Sequence, residues 1–201
     1  MQMDILERPS PNVSRDRQGT PATRRQPIRA LVLHDTGGKT AEGALSWFES
    51  AQSGVSAHYI IGKDGQVFRC VPDEQIAWHA GHSRLWGREN VNWFSLGLEI
   101  VDDNDSDPYP AAQMDSLIWL AEDLCRRHAL TLGGIVGHQH ICLPPGRKVD
   151  PGRDFPWADF LNTVAGRLEA RLAGERVQFV LPGAVAPPDN TVRDAPWPFA
   201  A

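Results

Sequence analysis

The apolar run RALVLH, at residues 29–34, restricts the fold more than any other segment of this chain. Both alternating sets of its side chains are apolar, which is typical of a strand covered on both faces, and DTGG ends the run at once. Thr40 then predicts the N-cap of a helix that extends to about Ser50. The apolar side of this helix would consist of Ala44, Leu45, Trp47 and Phe48.

Apolar periodicity predicts more strands. AHYII (57–61) and QVFRC (66–70) flank GKDG, which favours a hairpin. SLGLEIV (95–101) predicts a strand with Ser95, Gly97 and Glu99 on one face and leucine or isoleucine on the other. GGIVGH (133–138) predicts a short strand.

Amphipathic helices are predicted at residues 110–128 and from Pro156 to about Leu172. Strands mixed with helices in this order predict an α/β fold: a single domain in which helices pack on a mixed β-sheet. A chain of 201 residues suits one such domain. We assign residues 1–27 to an extended N-terminal arm, 28–175 to the folded domain and 176–201 to a proline-rich C-terminal tail.

Charge and composition exclude some classes of partner. The net charge is -5 and no long run of Lys or Arg occurs, which argues against nucleic acid or an anionic membrane as the main partner. No stretch approaches the ~18 apolar residues of a membrane span. The N-terminus lacks the apolar core of a secretion signal, so we expect a cytoplasmic chain. The three cysteines are widely spaced and predict no disulfide framework.

The segment GHQHICLPPGRKVDPG (137–152) concentrates metal-binding residue types in a stretch too rich in Gly and Pro to predict a helix. His34 and His138 each end a predicted strand, where functional groups of α/β sheets collect, and Asp150 follows in the loop. Two imidazoles and one carboxylate, with a fourth position open, form the ligand set of catalytic zinc. The alternative is that both histidines are core residues held by backbone hydrogen bonds, and this alternative is favoured for either one taken singly.

Lys148 and Asp150 point the same way if this segment is extended, as Pro151 favours. A cation beside a metal opposes metal binding unless the cation serves an anion, such as a developing oxyanion. On local sequence alone, however, a solvated lysine that pairs with an aspartate is the simpler interpretation.

The chain resembles the zinc-dependent N-acetylmuramoyl-L-alanine amidases (the amidase-2 family) in six motifs: IRALVLHDTGG, VSAHYIIGKDGQVFRCV, AWHAG, NWFSLGLEI, GHQHI and RKVDPGRDFPW. They occur in the family's order between about Ser10 and Leu172. The family includes bacterial recycling amidases, phage endolysins and peptidoglycan recognition proteins. Each motif alone is weak, but six in order are specific.

The resemblance implies that His34, His138 and Asp150 bind Zn²⁺. It further implies that Glu99 is the general base and that Lys148 stabilises the tetrahedral intermediate. No organic cofactor is implied.

Further residues of these motifs have weaker assignments. His140 and Cys142 are rival metal ligands, which the family pattern disfavours because it places only the histidine after glycine on the metal. Four residues are predicted to contact substrate, although a packed tryptophan is a serious alternative for the first: Trp78, His79, Arg88 and Asn92.

The implied reaction is hydrolysis of the amide between the lactyl group of N-acetylmuramic acid and L-alanine, with peptidoglycan or muropeptides as partners and a monomeric enzyme. The alternatives from other classes are a non-catalytic peptidoglycan-binding module and an unrelated zinc peptidase. A short segment before AWHAG, with little room for a lid, favours a lytic enzyme of the endolysin type that acts on the wall after release by phage lysis. So do the tryptophans outside clear helix faces, Trp78, Trp86, Trp93 and Trp197. For Trp93, core packing is the favoured alternative. A cytosolic recycling amidase is the alternative role.

Overall fold

The computed structural model describes residues 3–103 and 108–174, so the tail predicted at 176–201 lies outside the described residues. The strands are β1 (Ile5–Glu7), β2 (Ala30–Asp35), β3 (Tyr59–Ile61), β4 (Val67–Arg69), β5 (Arg84–Leu85), β6 (Arg88–Glu89), β7 (Ser95–Ile100) and β8 (Ile135–Gly137). The helices are α1 (Ala41–Glu49), α2 (Ala111–His128), α3 (His138–Ile141) and α4 (Trp157–Gly174), with 3₁₀ turns at Val91–Phe94 and Leu132–Gly134.

Six strands form one mixed sheet in the order β1-β4-β3-β7-β2-β8, and β5 pairs with β6 in a separate ribbon. Within the large sheet only the β3–β4 hairpin is antiparallel. This is the predicted α/β architecture of a mixed sheet with packed helices. Strand β2, which is next to the edge strand β8, pairs with β7 and β8 on its two sides, and the register aligns His34 with Glu99.

The two faces of the sheet have different roles. Leu31 and Leu33 of β2 pack with Leu96, Leu98 and Ile100 of β7 beneath α2 and α4, in the largest apolar core. The opposite face is covered by α1 and by the chain between residues 77 and 94. Because side chains alternate along a strand, His34 of β2 and Ser95 and Glu99 of β7 share this second face.

Most predicted elements are present, and their ends are close to the expected positions. Thr40 caps α1, where its side chain accepts a hydrogen bond from the Gly43 amide, and α2 starts after Pro110. The predicted strand at 133–138 is shorter, since β8 ends at Gly137 and His138 starts the one-turn helix α3. The expectation that no helix forms in residues 137–152 is therefore wrong for this turn.

The tryptophan predicted on the apolar side of α1 is also in a different place. Trp47 is 58% exposed, whereas Leu45 and Phe48 are buried against the sheet. Trp47 is two residues from Leu45, about 200° around the helix, so it cannot share the packed side. Trp93, for which packing was favoured, is likewise 47% exposed.

The N-terminal arm contributes a strand. Residues of β1 pair in parallel with β4 at one edge of the sheet, and Val13 and Thr23 form isolated bridges with Ala77 and Gln75. The arm thus lies along the chain that precedes and includes AWHAG. No helix in the described ranges, up to residue 174, has the length and apolar character needed to cross a membrane.

Candidate active site

Three predicted metal ligands meet at the carboxyl ends of β2 and β8. His34 lies near the end of β2, His138 directly follows β8, and Asp150 reaches them from the loop before α4. The Nδ1 atoms of the two histidines are 3.0 Å apart, and Asp150 Oδ2 lies 3.2 Å from His34 Nδ1 and 3.0 Å from His138 Nδ1. This trio is the potential metal-binding group found in the described part of the chain.

The chemistry of these donor atoms fits a cation. His138 Nε2 lies 3.2 Å from the carbonyl oxygen of Ala80, which can only accept, so Nε2 carries the proton and Nδ1 presents its lone pair to the cluster. Burial lowers the pKa of His34 to about 4, which keeps its imidazole neutral. Lone pairs and a carboxylate that converge at 3.0–3.2 Å repel one another unless a cation lies between them.

The loop that carries Asp150 is held on both sides. The Asp150 carbonyl accepts a hydrogen bond from the Gln139 amide in α3, and the Gly152 amide donates to Asp35 Oδ2 at 2.7 Å. The Tyr109 hydroxyl also donates to Asp35. Burial raises the pKa of Asp35 to about 7, while these two donors oppose the shift. Asp35 was not singled out from the sequence, where it reads only as part of the DTGG break.

Glu99 lies beside His34 on the neighbouring strand. It is buried and lines the same cavity as the three ligands. Burial raises the pKa of Glu99 well above its usual range, the charges of Asp150 and Asp35 raise it further, and Lys148 lowers it. Burial and the neighbouring carboxylates therefore favour the protonated form of Glu99, whereas the charge of Lys148 favours the ionised form.

An open cavity of about 700 Å³ lies above these groups. Lys148 and Val149 form one part of its wall, and both side chains are exposed. Trp47 and Trp78 line it too, with 58% and 38% of their surfaces exposed. The cavity therefore has a buried polar floor and solvent-accessible walls that carry both aromatic and basic side chains.

The residues predicted to contact substrate lie in different places. Trp78 and His79 line the cavity, His79 as a buried group at its floor. Arg88 and Asn92 do not line it. The Arg88 guanidinium lies 4.7 Å from the centre of the Phe94 ring. Asn92 Oδ1 accepts hydrogen bonds from the backbone amides of His79 and Ala80.

His140 and Cys142 lie outside the ligand cluster. His140 Nδ1 accepts a hydrogen bond from the Gly137 amide, and its ring packs on Trp157. Cys142 Sγ contacts the carbonyl oxygens of Gln139 and Pro144. The helical turn at 138–141 explains the position of His140, because residues two apart in a helix do not share a face as they would in a strand.

Comparison with known proteins places the chain in a family. The family model described as N-acetylmuramoyl-L-alanine amidase (Amidase_2) matches residues 24–153. The 1,6-anhydro-N-acetylmuramyl-L-alanine amidase AmpD of Enterobacter cloacae is 40% identical over 112 residues, which are 56% of this chain and 58% of that protein. The chain thus spans little more than half of this curated relative.

Two solved structures resemble a larger share of this chain. The crystal structure of a selenomethionine derivative of AmpD superposes with a TM-score of 0.63 at 29% identity, over 81% of this chain and 99% of that one. The amidase AmiD of E. coli, in complex with the substrate anhydro-N-acetylmuramic acid-L-Ala-D-γ-Glu-L-Lys, gives a TM-score of 0.62 at 29% identity, over 81% of this chain and 72% of that one. The family model covers well over half of the sequence, and the chain belongs to the N-acetylmuramoyl-L-alanine amidase family.

Proposed function

We propose that this chain is a zinc-dependent amidase that hydrolyses the bond between the lactyl carbonyl of N-acetylmuramic acid and L-alanine in soluble muropeptides. The observation that carries this proposal is the cluster of His34, His138 and Asp150 beside Glu99 at the floor of one open cavity. Family membership supports the same reaction.

Zinc is the metal that the donor set fits best. Two nitrogens and one carboxylate oxygen are common zinc ligands, and with zinc–nitrogen bonds of 2.0–2.1 Å a tetrahedral site separates its ligand atoms by about 3.3 Å. The three separations here are 3.0–3.2 Å, so only a small expansion is needed. Three protein ligands leave one position open, as in catalytic rather than structural sites.

Zinc supplies Lewis acidity at this site, where it lowers the pKa of water and polarises a carbonyl oxygen. In our proposal Glu99 accepts the proton of the attacking water on its carboxylate and later returns it to the departing L-alanine amine. A raised pKa suits both roles, because it makes the carboxylate a stronger base and the carboxyl group formed in that step is the proton donor to the amine.

Lys148 supplies positive charge from the cavity wall. Its ammonium group lies near enough to lower the pKa of Glu99, and it faces solvent rather than the core. We assign it to the lactyl carbonyl oxygen, which becomes negatively charged when water adds to the carbon. The apolar walls at Trp47 and Trp78 suit the faces of a sugar ring.

The relatives favour soluble anhydro fragments over intact wall. AmpD is named for a 1,6-anhydro substrate, and AmiD is described with an anhydro-muropeptide. These names support the recycling alternative better than the lytic enzyme favoured by the sequence. Action inside the cell on such fragments is part of the proposal.

The test is product analysis on a purified 1,6-anhydro-N-acetylmuramyl peptide by mass spectrometry. We expect two products, a sugar that carries a lactyl carboxylate and a peptide with N-terminal alanine. A chelator should stop the reaction and added Zn²⁺ should restore it. Cleavage at other peptide bonds would indicate a zinc peptidase, and tight binding without products would indicate a binding module.

A further inference from the structure

His79 packs beneath His34 on the polar face of the sheet. It is buried, and its ring meets the His34 ring edge-on with 5.2 Å between centroids. His34 Nε2 lies 3.1 Å from His79 Nδ1, so the ring nitrogen of His34 that faces away from the metal cluster is bonded to another histidine. A contact between two neutral imidazoles requires one nitrogen to donate and the other to accept.

Which of the two histidines donates this hydrogen bond follows from the contact on the other side of the His79 ring, where Ser95 lies. The Ser95 hydroxyl lies 2.7 Å from the carbonyl oxygen of Val91, which can only accept, so the hydroxyl proton points there. Ser95 Oγ is then an acceptor for His79 Nε2 at 3.2 Å, which requires the proton of His79 to be on Nε2. His79 Nδ1 is left as an acceptor, and His34 Nε2 must donate to it.

We propose that His79 is a positioning residue that, with Ser95 and the Val91 carbonyl, fixes the His34 tautomer in which Nε2 carries the proton and Nδ1 is free to bind the metal. This inference rests on the metal site of the proposed function. It assigns to His79 a role beneath the ligand, in place of the substrate contact predicted from AWHAG. An outer partner of this kind orients a ligand histidine and strengthens its bond to the metal.

The surrounding backbone keeps His79 in this position. A Cβ atom at Gly97 would lie 2.5 Å from His79 Cγ, so the space above this strand position is filled by the His79 ring. Asn92 Oδ1 accepts from the amides of both His79 and Ala80. The Ala80 carbonyl in turn contacts His138 Nε2. One short segment thus supplies the outer partner of both metal-binding histidines.

The experiment measures zinc affinity of the full chain by competition with a chromophoric chelator, without any substrate. His79→Leu removes the acceptor, and we expect zinc to bind roughly 10- to 100-fold more weakly. His79→Asn keeps an oxygen near the position of Nδ1 and should recover most of the affinity. Ser95→Ala, which touches no metal ligand, should weaken binding in the same direction because it frees His79 to reverse its tautomer.

The matched control is His58→Leu. His58 is also a buried histidine on the same face, 5.7 Å from His79 between ring centroids; its ring nitrogens contact the Gly97 amide and Arg24, and neither contacts His34. We expect its zinc affinity to remain that of the unmodified chain. A loss equal to that of His79→Leu would show that packing, and not the hydrogen bond, is responsible.

Nitrogen-15 NMR of the imidazoles reads the tautomer directly. In the zinc-loaded chain we expect a proton on His34 Nε2, and in metal-free Ser95→Ala a shift of the His34 population towards the Nδ1-protonated form. Unchanged affinity and tautomer in both His79→Leu and Ser95→Ala would overturn the inference while leaving the amidase proposal intact. Failure of the unmodified chain to bind zinc would overturn both. If His79→Leu does not fold, Ser95→Ala decides the question.

Discussion

Glu99 is the residue at which burial and charge most directly affect the proposed chemistry. Burial and the nearby carboxylates hold its pKa well above the usual range. Glu99→Gln keeps the shape of the side chain but cannot accept a proton, so we expect the fold and zinc content to persist while kcat falls by ~10²–10⁴-fold.

The measurements for Glu99→Gln are steady-state turnover of the anhydro-muropeptide and zinc content of the same preparation. Glu122→Gln is a matched control, because Glu122 is also a buried glutamate but lies on α2, away from the cavity. It should retain normal turnover. Near-normal turnover of Glu99→Gln would mean that another group accepts the proton.

Asp150 and Cys142 allow the metal ligands to be tested within one loop. Asp150 Oδ2 is within 3.2 Å of both histidine nitrogens, whereas Cys142 Sγ contacts only backbone oxygens among the contacts described for it. Asp150→Ala should therefore lower zinc affinity strongly, and Cys142→Ser should leave it nearly unchanged. Titration with a zinc chelator measures both, and release of zinc by Cys142→Ser would reassign the third ligand.

Sequence reasoning reached the ligand cluster but not the groups that support it. His34 and His138 could be found because both end predicted strands, Asp150 because it adds a carboxylate in the loop that follows, and the family resemblance implied the role of Glu99. The positions of Ser95 and Asp35 could not be predicted, because their roles depend on hydrogen bonds to segments that are distant in the sequence. Ser95 reads only as a small residue at the start of a strand.

At the level of elements, the periodicity of apolar residues predicted the main strands of the sheet and the long helices that pack on it. Strands and long helices repeat their apolar positions over several turns or residue pairs, so β2, β7, α2 and α4 were correctly expected. The four residues of α3 are too few to show a period, and its start at His138 was missed. That turn determines which histidine faces the metal cluster.

The end of α2 is tied to the β3 region by one buried carboxylate. Asp73 accepts hydrogen bonds from the Tyr59 hydroxyl at 2.7 Å, from Arg127 Nη1 at 2.6 Å and from His128 Nε2 at 2.7 Å. Burial alone would raise the pKa of Asp73, but these three contacts outweigh it and hold the pKa well below its ordinary value of 3.8.

A depressed folded-state pKa gives stability that is present above the unfolded-state value and is lost as the pH falls. We therefore expect the free energy of unfolding of the metal-free chain to decrease below about pH 4. Asp73→Asn should cost about 3 kcal/mol near neutral pH, as when a buried pair loses one partner. The free energy of unfolding of Asp73→Asn should also decrease less steeply as the pH falls. Urea unfolding at several pH values measures both, and an unchanged acid slope would assign the dependence to other carboxylates.

At the scale of the whole molecule, the open cavity is lined by residues of α1 and of the 147–150 segment. The sequence favoured a lytic enzyme for two reasons: the short segment before AWHAG leaves little room for a lid, and the chain has several tryptophans outside clear helix faces. Among those tryptophans that lie within residues 3–174, Trp78 and Trp93 are exposed, and of these two Trp78 lines the cavity whereas Trp93 does not. An open cavity admits soluble fragments as readily as polymer, so exposure alone could not decide between the two roles.

Trp47 and Trp93 offer a matched pair for the substrate. Both are largely exposed, at 58% and 47%, but Trp47 lines the cavity and Trp93 does not. If the Trp47 ring packs on the sugar, Trp47→Ala loses that apolar contact; at about 25 cal/mol per Å², a contact of roughly 25–50 Å² corresponds to a rise of about 3- to 10-fold in KM for the anhydro-muropeptide. Trp93→Ala should leave KM unchanged.

The unmodified enzyme should turn over this fragment rapidly without clearing a suspension of isolated cell walls. Rapid clearing that depends on Trp93 as much as on Trp47 would instead identify a broad wall-binding surface and a lytic enzyme.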